Sequence, residues 1–159
     1  MSTAKVSYGN ATSMTITLAS LAQGAAREAT AVDNSSDLFL DAMVYLAIKL
    51  QTGTPASDRQ INVYFYGSHD GTNFTDNVTG TNAAVTLRAP TNLRGPHTIF
   101  TPDAGALTYK IVIGSVASYF GGFLPKKWGI VVENRTNITL SATEGDHIKE
   151  YVGLYETVT

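Results

Sequence analysis

The sequence predicts an all-β chain, a two-sheet β-sandwich of about eight to ten strands. Three observations predict it. The run Ile61 to Gly67 (INVYFYG) alternates with period two, placing Ile61, Val63 and Phe65 on one face and Asn62, Tyr64 and Tyr66 on the other. Further apolar runs repeat this alternation and are rich in β-branched and aromatic residues, which suit a pleated, half-buried surface. Turn chemistry punctuates the chain at Ala22 to Ala25, Asn34 to Asp37, Gly53 to Ser57, Asp70-Gly71, Thr79 to Asn82, Gly95-Pro96, Pro102 to Gly105, Gly121-Gly122, Asn134 to Asn137 and Gly145-Asp146. Short apolar runs between regularly spaced turns are the signature of a sandwich or barrel.

Taken in order, residues 1–13 are polar and read as an N-terminal arm, either disordered or held down by a neighbour. Residues 14–159 read as a single sandwich domain. Met14, Ile16 and Leu18 alternate with Thr15 and Thr17. Leu38 to Leu50 (LFLDAMVYLAIKL) admits a helix, since Ser36 suits an N-cap and Gly53 a helix stop. Such a helix would be apolar nearly all round and would need burial on every side. A strand is preferred, with Leu40, Ala42, Val44, Leu46, Ile48 and Leu50 on one face and Asp41, Met43, Tyr45 and Lys49 on the other. Later, Leu107, Tyr109, Ile111 and Ile113 alternate with Thr108, Lys110 and Val112. Trp128, Ile130 and Val132 alternate with Lys127, Gly129 and Val131, and Ile138 and Leu140 flank Thr139. Val152 and Leu154 are expected to complete the core face.

Bulk properties exclude several classes. A chain of 159 residues can bury roughly 70% of its unfolded surface, enough for a core without disulfides or metal. It has no cysteine, which removes disulfide frameworks, thiol catalysis and cysteine-based zinc sites, and which fits synthesis in a reducing cytosol. A net charge of −2 with scattered basic residues gives no footprint for nucleic acid. The first residues lack the apolar core of a secretory signal, and no stretch approaches a membrane span. Charged residues make up only 15%, and a neutral, Thr-rich surface suits a protein packed against neighbours.

No residue pattern announces catalysis, and no enzyme activity or cofactor is expected. His69 adjoins Asp70, but neighbours on a tight turn point apart. His147 follows Glu144 and Asp146 without the spacing of a metal motif. Asp70, Asn73 and Asp76 offer oxygens of the kind calcium takes, although Asx residues in such loops more often bond their own backbone. Glu133, Glu150 and Glu156 are spaced like ordinary solvated strand residues. A nucleophile elbow and a phosphate-binding glycine loop are both missing. Asn-x-Ser/Thr triplets at Asn10, Asn34, Asn73, Asn77, Asn134 and Asn137 read as Thr-rich turns. The candidate contact residues are aromatic: Tyr64 and Tyr66 lie opposite the core face of their strand, and Tyr45, with Met43, lies on the outer face of its own. Such rings serve a protein contact or a sugar platform unless a loop of the chain covers them.

Two resemblances add to this. Ser68-x-Asp70-Gly71-x-x-Phe74 looks like the structural hairpin of discoidin-like carbohydrate-binding sandwiches. A broader one joins Ser20-Leu21-Ala22, Ala26-Arg27-Glu28 and Ala31 to Asn34 with the hairpin from Asp41 to Gly71 and the late run Trp128 to Asn134 followed by Ile138 to Ser141. Together these resemble small β-sandwich virion proteins of tailed bacteriophages, notably capsid decoration or cement proteins. That resemblance implies a jelly roll, made in the host cytoplasm, that forms homotrimers and clamps the major capsid protein from outside the shell. It brings no catalytic residues. The alternative expectation is a tail, baseplate or fibre module that binds host glycan in a groove lined by tyrosines or Trp128. A hydrolase on a jelly-roll scaffold is a third reading.

Overall fold

The computed structural model describes residues 3–158, and they form two antiparallel sheets packed face to face. In chain order the strands are β1 (Ala4–Tyr8), β2 (Thr12–Ser13), β3 (Ala26–Glu28), β4 (Val32–Asp33), β5 (Asp41–Lys49), β6 (Gln60–Ser68), β7 (Ala83–Val85), β8 (Arg94–Phe100), β9 (Thr108–Ile113), β10 (Lys127–Arg135) and β11 (Ile148–Val158). The first sheet runs β1-β11-β5-β9, with β2 also on β11; the second runs β7-β3-β10-β6-β8, with β4 also on β10. Four nested pairs, β1 with β11, β3 with β10, β5 with β9 and β6 with β8, alternate between the sheets. That is one long antiparallel hairpin folded over itself, the connectivity of a jelly roll. The short strands β2, β4 and β7 bring the total to eleven, above the expected eight to ten.

Alternation sets what lies between the sheets. Val44, Leu46 and Ile48 from β5 meet Ile61, Val63 and Phe65 from β6 and Trp128, Ile130 and Val132 from β10 in one core. Leu38 to Leu50 is therefore strand where it is regular, from Asp41 to Lys49. Met14, Ile16 and Leu18 join the same core from an extended segment. Among the described residues, no helix is long and apolar enough to cross a membrane.

Three placements differ from the sequence reading. Leu40 is exposed, because Asn34 clamps the backbone N–H and C=O of Phe39 through its side chain and turns Phe39 inward instead. On β11, Tyr151 rather than Val152 faces the core, its ring edge-on to Trp128 at 5.5 Å. Gly153, next in that inner row, leaves the room that Phe39 fills, and a Cβ there would overlap the ring. Val152 and Leu154 consequently point outward. Finally, the described part of segment 1–13 does not hang free. Ala4–Tyr8 pairs along β11 from Ala4↔Val158 to Tyr8↔Leu154, and Thr12–Ser13 pairs with Tyr151 and Glu150. Met1 and Ser2 lie outside the described residues.

Candidate functional site

The three tyrosines singled out by the sequence do not form one surface. Tyr64 and Tyr66 stand on the outer face of the second sheet and Tyr45 on that of the first. Tyr66 is 0% exposed, and its hydroxyl donates to the Ala29 carbonyl at 2.6 Å. It is a core residue rather than a contact. Its ring lies over Gly129, its partner on β10, where a Cβ would collide with it. Burial pushes its pKa up, and the Glu28 carboxylate adds to the rise. Tyr64 is half-buried, and its hydroxyl donates to Glu133 Oε2 at 3.3 Å.

The cover on these rings comes from the chain itself. Between β6 and β8 the segment 69–93 folds back over the second sheet, and Phe74, Val78, Leu87 and Leu93 pack with Tyr64, Tyr66 and Val131 in a second apolar cluster. One buried carboxylate fastens this cover. Glu28, 1% exposed, accepts the Thr79 N–H at 2.9 Å, the Thr79 hydroxyl at 3.0 Å and the Gly80 N–H at 2.9 Å. Asp76 holds the segment's far end by accepting from the Asn92 N–H at 2.7 Å and the Thr91 hydroxyl at 2.8 Å.

Internal bonds likewise occupy the oxygens that the sequence offers for calcium in this loop. Asp70 accepts from the Thr72 and Asn73 N–H groups, each at 2.8 Å, and from the Asn73 side-chain amide at 2.6 Å. The bonds from Asn73 and Thr72 hold its carboxyl well below the usual range. Asp76 turns to Asn92 instead, so the three oxygen-bearing side chains do not converge. His69 lies 4.0 Å from Asp70 with its ring in solvent. His147 is buried; its Nδ1 accepts the Lys49 N–H at 3.3 Å and its Nε2 donates to the Ser141 carbonyl at 3.2 Å.

Glu133 departs from the expectation of a solvated strand residue. At 8% exposed, it accepts from the Asn62 amide at 3.0 Å and from Arg135 Nη1 at 3.3 Å, besides Tyr64. Arg135 also binds Asp58 through Nε. A hollow of about 410 Å³ lies beside Glu133, walled by residues 24–26 and 84–87. Its walls are mostly small or apolar side chains, and the carboxylate is occupied by three donors. Nothing there positions a nucleophile.

The remaining face is uncovered. Register places Val6, Tyr8, Leu154, Val152, Met43, Tyr45, Val112 and Ile148 together on the outer side of the first sheet. Tyr8 is 65% exposed and Val112 55%, and Val6, Ile148 and Val158 are likewise exposed. Tyr8, Met43, Tyr45, Val112 and Val152 line a shallow groove of about 310 Å³ whose one charged wall residue is Glu150. Of the predicted contact residues, only Tyr45 belongs here. The sequence predicts Met43 beside it but not the rest, although Val6 and Tyr8 alternate with Lys5 and Ser7, and Val112 falls opposite the core row of β9.

Comparison with protein-family models, with curated proteins and with solved structures finds no match to this chain.

Proposed function

We propose that the protein acts by being bound: a structural sandwich that joins a larger protein assembly through the outer face of its first sheet. On the resemblance of its sequence, that assembly is a tailed-phage head, and the protein is a capsid decoration or cement protein that stabilises the shell from outside and associates with its own copies. The observation that carries the reading is the open apolar face. Contiguous exposed apolar patches of this kind mark protein contacts on soluble proteins. Rigid sheets and a carboxylate saturated by its neighbours fit the same role. Repeated modest contacts suffice for it, because linked subunits bind as a unit.

The glycan-binding tail module has less support. Trp128, one of its expected platform residues, is buried in the core. The groove at Tyr8 and Tyr45 offers rings, but little of the hydrogen-bonding rim that orients a sugar. Quantitative mass spectrometry of purified particles tests the proposal. Decoration requires a copy number on the scale of the capsomers; a number on the scale of a single tail, or absence from particles, overturns it.

A further inference from the structure

We infer that the outer face of the first sheet docks a second copy of this chain about a two-fold axis running through Met43. The inference rests on the assembly role just proposed and gives this face to the association with the chain's own copies, so that the pair meets the rest of the assembly through other surfaces.

Glu156 and Lys110 are exposed on this face, and neither has an ion-pair partner among the described residues. The other lysine on the same face, Lys49, is already paired with Asp146 at 3.1 Å. Glu150, paired in register with Tyr45, is a third charge on this face without an ion-pair partner among the described residues, but it is half-buried in the groove rather than exposed. Register fixes where Glu156 and Lys110 stand. Met43 pairs with Val152, and Glu156 lies four residues further along β11. Lys110 pairs with Ala47, four residues from Met43 in the opposite direction, on β9, which flanks β5 on its other side. Glu156 and Lys110 are thus equidistant from Met43, each roughly 14 Å away on opposite sides, by ordinary strand rise and spacing.

That arrangement is self-complementary. A two-fold axis in the plane of the face, through Met43 and perpendicular to the line joining the two charges, lays each copy's Glu156 on the other's Lys110. Between these two ion pairs lie Tyr8, Val152, Met43, Tyr45 and Val112, a mainly apolar centre of the kind a stable interface has, with Glu150 as its one carboxylate. The same axis crosses the strands of the two copies at about 40° by ordinary strand rise and spacing. Four strands give the face roughly 600 Å² in projection, within the range a specific contact buries per partner. The contact is isologous, so it builds pairs. The ring of three that the resemblance implies would need two different surfaces.

Three measurements test it on the full-length chain. Sedimentation equilibrium should give a dimer. Glu156→Lys and Lys110→Glu should each weaken it about tenfold or more, since each juxtaposes like charges twice. The double variant should restore it, because both pairs reform with signs exchanged. The chain has no cysteine, so Met43→Cys carries one thiol, placed on the axis. Stacked sheets stand about 10 Å apart, too far for a disulfide, so a short bis-maleimide is the probe. It should link Met43→Cys chains in pairs, while Phe123→Cys, exposed on a loop elsewhere, stays unlinked. All four positions are at or near the surface, and circular dichroism checks that each variant folds. A monomer at every concentration, a trimer in which Met43→Cys fails to link, or a double variant no better than the worse single one overturns the inference. Particle composition is scored separately. A chain present on particles but unpaired at Met43 defeats this inference alone; a Met43 dimer absent from particles defeats only the functional proposal.

Discussion

The two sheets of this sandwich obey the same alternation, yet their outer faces end differently. On the second sheet, Tyr64, Tyr66 and Val131 are closed over by segment 69–93, pinned through Glu28. On the first, Tyr8, Tyr45 and Val112 line an open groove, and Tyr8 and Val112 are more than half exposed. A two-sheet fold needs only its inner faces to be apolar, so every further apolar outer row has to be hidden by other means. This chain solves the problem once internally. The uncovered face is where another polypeptide has most to gain.

The comparison predicts unequal costs for similar substitutions. Tyr66→Ala should be the most damaging, at about 3–5 kcal/mol, because it empties a fully enclosed aromatic site and strips the Ala29 carbonyl of its donor. Urea unfolding measures it. A loss under about 1 kcal/mol would mean that the cover contributes no real burial. Glu28→Ala should cost less, about 2 kcal/mol, since the amides of Thr79 and Gly80 that it abandons can reach water once the cover lifts. Its signature is local: proteolysis within 69–93 should accelerate more than global unfolding does. Uniform acceleration would show that the cover and the sheet open together.

How much of this contrast could be read from the sequence depends on what hides each ring. The side of β6 that carries Tyr64 and Tyr66 is written in its period. Their depth is not, because the residues that cover them, Phe74, Val78, Leu87 and Leu93, recur with no period and act over a long loop. Hydrophobic patterns are also blind to glycine. Gly153 occupies the inner row of β11, so the pattern shifts by one and Val152 and Leu154 look like core. Val6 and Tyr8 carry the right alternation, but it is too short, among polar neighbours, to separate an edge strand from an arm. The candidate contact surface is a property of register. Tyr8, Met43 and Val112 come from distant parts of the chain and meet only when β1, β11, β5 and β9 are aligned.

Acid provides a test that separates core from surface. Burial holds the pKa of His147 below its ordinary 6.5, against the opposing pull of the Ser141 carbonyl and of the Glu144 and Asp146 carboxylates. The folded chain therefore takes up this proton at lower pH than the unfolded chain does. Stability from this group is fully present above about pH 6.5 and is lost as pH falls through the depressed value. The thermal midpoint should thus drop between about pH 7 and pH 5, and the drop should shrink in His147→Gln even if that variant starts lower. The open face carries no histidine, so pairing through it should not follow the same curve. If the variant keeps the full wild-type slope, another group governs the acid limb.

The smallest expected effect is the most telling for the comparison. Val112→Thr and Tyr8→Ser alter side chains that are more than half exposed and pack against no cover, so in the dissociated chain each should change stability by less than about 0.5 kcal/mol. Tyr66→Ala shows what the same chemistry costs on the closed side. The two surface variants should nonetheless weaken association, because the apolar rows they interrupt lose area only when a partner is present. Urea unfolding at low protein concentration, set beside sedimentation at high concentration, separates the two quantities. A large loss of stability at low concentration would mean that Tyr8 and Val112 support their own fold. The first sheet would then be closed in a way its exposed side chains do not reveal, and the contrast between the faces would disappear.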